Sequence, residues 1–357
     1  MKKSTTAIGV GAAAFFALGS ACANTSSVTL YGLADIAFTH SSNKGGSSFN
    51  GLENGRFFAS RVGFRGQEDL GGGLRAIFVM ESGVDLDTGT SSSSAAFFNR
   101  QAWVGMSSAQ WGALTLGRQT SPLFDNVAKF TGGPTFGING AAVDGVALPG
   151  SAAGRFENTM SPPRFNNSIK YTSQRMEGFK VIGMYGFGEV AGEASAGQLQ
   201  TVVVDYNKGP FDAAVGYFSK NCPNAGGCTA DQGRDKVLAL LGGYDFKLAH
   251  VGLVYTRQNH AKNVKDMNAD VWTVRVLVPY GLWNFSAGYH LQNDRTVANQ
   301  DVRQLNLGVS YDLSKRSTLY SFYSRQRVSN GGIASMGLMN SSNSKQNQLV
   351  AGIRHFF

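Results

Sequence analysis

The sequence predicts an all-β fold, a 16-stranded antiparallel β-barrel that spans a membrane. Three observations support this: stretches of about ten residues alternate apolar and polar side chains, the composition favours strands and turns, and short connections alternate with long ones. With 8 Pro and 46 Gly, the chain suits strands joined by tight turns. Beyond the N-terminus no segment holds a run of about 18 apolar residues, and the mean hydropathy is −0.14, which argues against transmembrane helices.

The N-terminus has the three parts of an export signal. Lys2 and Lys3 form a basic head, residues 7–18 form an apolar run too short to span a bilayer, and Ala21-Cys22-Ala23 is a small-x-small cleavage site. We therefore expect residues 1–23 to be a signal peptide. Residues 24–357 contain no linker or change in composition, so we expect them to form one β-barrel domain.

The alternation is clearest in the second half of the chain. In residues 283–291 every second residue is apolar and the residues between are polar or small, and residues 272–280 and 305–313 repeat the pattern. Continuing the count gives about sixteen strands, an even number that suits an antiparallel barrel. Their predicted starts are Val28, Arg56, Leu74, Phe97, Ala113, Ser168, Lys180, Leu199, Phe211, Lys236, Val251, Val271, Leu282, Val302, Ser317 and Gln346.

A soluble β-sandwich or propeller would also alternate, and the positions of the aromatic residues argue against both. Trp272 and Tyr280 stand at the two ends of one apolar face, as in the aromatic girdles at membrane–water interfaces. The last strand carries apolar residues on one face and ends at Phe357. A terminal strand without a tail fits one that closes a barrel.

The charge and the cysteines exclude other classes of protein. Removing the signal lowers the formal charge from +9 to +7, since 30 basic residues then face 23 acidic ones. These basic residues are scattered singly, which argues against nucleic-acid binding and favours a lumen lining or contact with anionic lipid headgroups. Cys222 and Cys228 flank a short loop, and export favours a disulfide between them. No His lies near enough in sequence to complete a metal site, so we expect no metal and no cofactor.

Several short motifs, in a fixed order, are similar to those of one known family. They are Val28-Thr29-Leu30-Tyr31-Gly32, Ser60-Arg61-Val62-Gly63-Phe64, Glu68-Asp69-Leu70-Gly71-Gly72-Gly73-Leu74, Phe98-Asn99-Arg100-Gln101-Ala102, Leu116-Gly117-Arg118-Gln119, Asn167-Ser168-Ile169-Lys170-Tyr171, Leu313-Ser314-Lys315-Arg316-Ser317 and Arg354-His355-Phe356-Phe357. In these motifs the chain resembles the general porins of Gram-negative bacteria. The resemblance implies an outer-membrane homotrimer, in contact with lipid and lipopolysaccharide, whose third long loop folds inward to narrow each pore.

The candidate pore constriction combines this resemblance with strand parity. Residues 120–166 form a long Gly-rich connection that could fold into the lumen. Alternation turns Arg61 and Glu81 inward, and the resemblance implies an arginine cluster of Arg61 and Arg100, with Arg155 or Arg164 as its third member. For Arg118, Asp125 and Asp144 two interpretations remain open: a role in conduction, or a structural role as part of a solvated lumen wall or in an ion pair that holds the loop.

These features predict a passive channel for small hydrophilic solutes and inorganic ions, with a preference for anions and no catalysis. A channel with one dedicated substrate, and an adhesin or receptor barrel with Ser-rich loops, remain alternatives. An outer-membrane hydrolase would need a nucleophile motif around one of the five His, and none is present.

Overall fold

Sixteen antiparallel strands form the wall of a closed barrel. The computed structural model describes residues 26–131, 146–147, 155–156, 164–224, 226–337 and 339–357, so the predicted signal peptide lies outside it. The strands are β1 (Ser27–Lys44), β2 in two segments (Ser47–Asn54 and Arg61–Gly71), β3 (Leu74–Asp85), β4 (Gln101–Ser108), β5 (Gly112–Thr120), β6 (Arg164–Thr172), β7 (Phe179–Gly186), β8 (Leu199–Lys208), β9 (Phe211–Lys220), β10 (Asp235–Asp245), β11 (His250–Asn259), β12 (Ala269–Tyr280), β13 (Trp283–Asp294), β14 (Val302–Asp312), β15 (Ser317–Val328) and β16 (Lys345–Phe356).

Each strand pairs with its neighbours in sequence, and β1 pairs with β16 to close the ring. The closing ladder runs from Leu33 opposite Phe356 to Ser41 opposite Gln348. Two backbone hydrogen bonds between Gly32 and Phe357, of 3.0 and 3.2 Å, extend it to the last residue. The predicted role of Phe357 at the barrel-closing terminus therefore has a structural counterpart in this ladder.

Most predicted strand starts lie within two residues of the observed ones, and three differ by more. The fourth strand begins at Gln101 rather than Phe97, and the sixth begins at Arg164 rather than Ser168. The second does not begin at Arg56, because residues 55–60 are the break between its two segments. Alternation alone does not show where a chain leaves the wall.

Asp35 stabilises the break in β2. Where the ladder is interrupted, the Asp35 backbone carbonyl accepts hydrogen bonds from Gly55 N at 2.9 Å and from Ser60 Oγ at 3.0 Å. Its carboxylate accepts bonds from Phe58 N at 3.0 Å and from the Tyr320 hydroxyl at 2.7 Å. Backbone groups that leave a sheet inside a barrel need such partners, because an unpaired buried polar group is costly.

The exposed face of the wall is apolar, as the alternation predicts. On β12 and β13, Trp272, Val274, Phe285 and Tyr289 point outward and are each 42–46% exposed. The side chains between them point inward, Thr273 among them. Among the described residues, no helix has the length and hydropathy needed to cross a bilayer.

A short helix, α1 (Pro122–Thr131), lies inside the barrel against the wall. Pro at its first position, an acidic residue in its first turn and a basic one in its last favour the helix. Leu123, Val127 and Phe130 recur at helical spacing and are fully buried. They pack on inward-facing residues of β6 to β11, namely Phe165, Met184, Leu199, Val203, Ala214, Phe218, Val237, Ala239, Leu241 and Val254.

The first part of the third long connection lies inside the barrel as α1 and contacts the wall through large apolar side chains. Gly216 on β9 permits the close approach, since a Cβ there would lie 2.4 Å from Leu123 Cδ1. The inner face of this part of the wall is consequently apolar rather than wet.

The loop between β9 and β10 contains the disulfide. Cys222 and Cys228 are bonded, with their Cα atoms 5.1 Å apart. The loop is also held by Asn263, whose side-chain amide donates to the carbonyls of Lys220 and Gly233 at 3.1 and 2.9 Å. This covalent link and these hydrogen bonds fix the loop at the rim where the long connections lie.

Replacing Phe130 with Ala should loosen α1 from the wall. Removing a fully buried aromatic side chain costs about 3–5 kcal/mol, so amide exchange in residues 122–131 should accelerate by about two orders of magnitude or more. Hydrogen–deuterium exchange with mass spectrometry measures this. The control is Ala128→Ser, a half-exposed position on the same helix. Equal exchange in wild type and Phe130→Ala would show that this packing does not hold the helix.

Candidate functional site

Two apolar clusters cover opposite parts of the inner wall. One is the contact of α1 with β6 to β11. The other forms where the break in β2 folds inward, so that Phe57 packs with Tyr320, Phe322 and Val350 on β15 and β16. The Phe57 and Tyr320 rings stack with centroids 4.6 Å apart. The inner face of β2 to β6 lies between these clusters, and most of the predicted pore residues are on it.

Glu81 lies at the centre of the charged groups on this face. Its carboxylate contacts Arg100 Nε at 2.6 Å and Arg61 Nε at 3.7 Å, and it accepts a hydrogen bond from the Tyr31 hydroxyl at 3.0 Å. Arg100 is also held by its backbone, since its N–H donates to the Glu81 carbonyl at 3.1 Å. The structure therefore brings three predicted residues together, with one carboxylate between two guanidinium groups.

The inward and outward directions of the side chains around these residues agree with those that the alternation in the sequence predicts. Arg61 and Glu81 face inward, while Phe64 and Met80 are exposed on the outer face. In the strand after Arg100 the adjacent residues Trp103 and Val104 are both apolar, so alternation alone does not decide which of them faces outward. Val104 does, at 59% exposure. Arg100 itself lies just before β4, where its side chain turns toward Glu81.

Arg164 is near the same cluster, and Arg118 is held in a different way. Arg164, the first residue of β6, is in electrostatic range of Glu81, Arg100, Arg61 and Arg118. The guanidinium of Arg118 donates to the Asn99 carbonyl at 2.7 Å and to Asn166 Oδ1 at 2.5 Å. Arg118 thus ties the connection before β4 to the beginning of β6.

Asp125 and its surroundings form a separate group on the α1 side. Asp125 is exposed on the first turn of the helix, in electrostatic range of Lys170, Lys180 and Arg164. No ion pair of Asp125 within 4.0 Å occurs among the described residues. The other end of α1 is tied by Lys129, which pairs with Asp212 at 2.5 Å.

Arg155 is also a predicted site residue, and its side chain is not among those that the structure describes. Its backbone pairs with Ala147 in a two-residue ladder of the third long connection. Asp144 and the glycines from 132 to 145 are also outside the described residues.

Sequence reasoning missed Tyr31, Lys170 and the two Asn residues that bind Arg118. Tyr31 and Lys170 share parity with inward-facing neighbours, so alternation could have identified them. Asn166 lies in a register shift between β5 and β6, which alternation does not detect.

The comparisons with known proteins agree with this geometry. The family model for Gram-negative porins matches residues 5–331. This chain belongs to the Gram-negative porin family. An outer membrane porin protein of Delftia acidovorans is 29% identical over 100% of both chains, and one of Bordetella pertussis is 27% identical over 95% of this chain and 96% of its own. Among solved structures, an anion-selective porin from Comamonas acidovorans has a TM-score of 0.78 and 25% identity, covering 93% of this chain and 100% of its own.

The protein is therefore an outer-membrane porin, a multi-pass β-barrel channel. Family and fold both indicate a channel rather than an enzyme. In a porin, charged groups that face the water of a narrow lumen bias which ions pass. Arg61, Glu81 and Arg100 carry such charges on the inner face of the wall.

Replacing Glu81 with Gln should increase the preference for anions. The substitution removes the carboxylate that partly neutralises Arg61 and Arg100. A unit charge at about 5 Å in water is worth about 0.8 kcal/mol, which corresponds to a roughly four-fold change in local ion occupancy. The reversal potential across a planar bilayer in a KCl gradient measures the effect. Asp69→Asn is the control, because Asp69 has the inward parity of β2 but lies near the short turn at residues 72–73. An equal change in both variants would show that Glu81 has no special position.

Proposed function

We propose that this porin is a general diffusion channel that favours small anions. Arg61 and Arg100 contact the single carboxylate of Glu81 on the inner wall, and Arg164 is in electrostatic range of all three. Guanidinium groups stay charged at every physiological pH and present several donors to an anion. The excess of positive charge at this point is the observation that carries the proposal.

The route for solutes follows from the arrangement of the lumen. The two apolar clusters occupy the inner face of β6 to β11 and of β15, β16 and β1, and the arginine cluster lies between them on the inner face of β2 to β6, where we place the path of water and ions. Hydrated anions exchange part of their water for contact with the arginines, while Glu81 prevents an anion from binding too tightly to leave. Passage is passive and involves no covalent chemistry.

Arg155 and Asp125 have secondary roles in this proposal. Asp125 offsets the basic charge of Lys170 and Lys180 beside α1. Arg155, in the same long connection, is the alternative third member of the arginine cluster that the resemblance implies. Arg118 positions the wall around the cluster through its bonds to Asn99 and Asn166.

We further infer that the mature protein begins near Asn24, after removal of residues 1–23, and that it assembles as a homotrimer in contact with outer-membrane lipid and lipopolysaccharide. Small side chains on the outer face of β1, β3 and β4, such as Ala34, Ala76 and Ala102, allow close approach of a second barrel. Chemical cross-linking of the purified protein, followed by heated and unheated electrophoresis, tests the trimer.

Replacing Arg61 and Arg100 together with Glu should shift the preference from anions toward cations. The double substitution reverses two charges beside Glu81, so the local charge changes from net positive to net negative. The reversal potential of purified protein in a planar bilayer measures the shift. The Arg61→Gln, Arg100→Gln variant avoids three adjacent carboxylates and should lose anion preference without reversing it.

The matched control is Lys262→Glu with Lys265→Glu, two exposed residues in the connection after β11. It makes the same change in total charge away from the open inner wall and should leave the preference unchanged. An unchanged preference in both arginine variants would contradict the proposal, as would an equal shift in the lysine control.

A further inference from the structure

Four basic residues form a row on the outer face of β14, β15 and β16, and we name Arg303, Arg325, Arg327 and Lys345 the basic row. All four side chains are exposed. The register places Arg303 opposite Arg327 on β14 and β15, and Arg327 opposite Lys345 on β15 and β16. Arg325 lies two residues before Arg327 on β15, opposite Leu305 and Asn347 and thus closer to the middle of the strands. Three positive charges thus stand side by side across three adjacent strands.

The basic row occupies one height on the membrane-facing surface. Lys345 is the first residue of its strand, Arg303 the second and Arg327 the last but one, so all three lie where the strands meet the long connections. Further along the same strands the outward residues are apolar, such as Leu307, Leu319 and Leu349, each 43–48% exposed. Tyr323 lies directly opposite Leu307 and Leu349, at the edge of the apolar zone nearest the basic row, as expected near a membrane–water interface.

Nothing in the described part of the chain neutralises these charges. None of the four side chains has a carboxylate within 4.0 Å there. By contrast, Arg257 on the outer face of β11 is paired, since its Nε lies 2.8 Å from the Asp270 carboxylate. Like charges directly opposite each other on adjacent strands are destabilising. The basic row therefore favours an anionic partner from outside the chain.

The position of the basic row identifies the chemistry of that partner. A group that meets it must be anionic, must lie at the boundary between the apolar band and water, and must approach from the side of the barrel. Phosphate groups on a membrane lipid meet all three conditions, and guanidinium groups bind phosphate through paired hydrogen bonds. A soluble anion meets the first condition alone.

We propose that the basic row is a binding site for the phosphorylated headgroup of an outer-leaflet glycolipid. This inference rests on the contact with lipopolysaccharide that forms part of the proposed function, and it assigns that contact to four residues. Arg303 and Arg327 supply two guanidinium forks to one phosphate region, while Arg325 and Lys345 flank it. Binding relieves the repulsion within the basic row, so the lipid also stabilises this part of the wall.

The experiment measures binding of purified lipid A to the full-length mature porin in detergent at about 0.15 M salt, where weak surface attraction is screened. The test variant carries Arg303→Gln, Arg327→Gln and Lys345→Gln. Its dissociation constant for bisphosphorylated lipid A should rise by roughly ten-fold or more, because three charge-assisted contacts are lost. Chemically dephosphorylated lipid A should bind wild type as weakly as bisphosphorylated lipid A binds the variant.

The matched control carries Lys236→Gln, Lys262→Gln and Lys265→Gln, which remove the same charge from exposed positions near the same rim. It should bind lipid A as wild type does. The proposal is overturned if the test variant binds as tightly as wild type, or if the control loses as much affinity. It is also overturned if inorganic phosphate competes at concentrations similar to lipid A, since the site would then recognise a free anion.

Channel measurements separate this proposal from the proposed function. The test variant should keep the wild-type reversal potential and the heat-modifiable migration of a folded barrel, since the basic row is outside the lumen. Loss of lipid binding with unchanged ion preference supports the headgroup site. If the wild-type channel prefers cations but the basic row binds lipid A as expected, the anion preference is rejected and the headgroup site is still supported.

Discussion

The structure depends on one constraint, that a sheet in a hydrocarbon layer cannot leave an edge unpaired. Water is absent there, and each unsatisfied backbone N–H or C=O costs several kcal/mol. The ladder between β1 and β16, with its last bonds between Gly32 and Phe357, removes the edge that an open sheet would expose. Closure also fixes which side chains face lipid and which face the lumen, because adjacent residues on a strand point in opposite directions.

Closure leaves a lumen that is too wide for side chains to fill, and this chain narrows it from two sides. The helix α1 covers one part with apolar contacts, and the break in β2 covers another with Phe57. Each insertion needs partners for its polar backbone, which Asp35 supplies at the break. The Arg61–Glu81–Arg100 group lies on the inner face between these two insertions.

Ion pairing within that face determines its electrostatic character. Glu81 holds Arg100 at 2.6 Å and Arg61 at 3.7 Å, so the two arginines are oriented without being fully neutralised. Tyr31 occupies a further acceptor position on the carboxylate. One acid shared among several bases keeps the guanidinium groups in place and leaves positive charge available to ions in the water.

Much of the barrel could be predicted from sequence because its physical cause is local. Period-2 alternation decided the number of strands, their order and the inward direction of Arg61 and Glu81. The helix α1 could not be predicted this way, because its apolar residues sit in a connection and pack on strands as distant as β11. The hydrogen bond of Arg118 to Asn166 depends on a register shift between β5 and β6. The basic row depends on β14, β15 and β16 being neighbours in the barrel. Such features come from pairing between distant segments, which one stretch of sequence does not encode.

The split in β2 has a consequence for how this barrel tolerates changes in length. Inside a continuous strand, one inserted residue would reverse the phase of everything after it and turn Arg61 toward lipid. Here the backbone leaves the wall after Asn54 and re-enters it at Arg61. Because the two segments of β2 pair with β1 separately, a change of length in the first segment leaves the second in its own phase. Changes of length in the first hairpin therefore do not alter the direction in which the Arg61 side chain points. The hairpin can vary in evolution while the guanidinium group of Arg61 stays on the inner face.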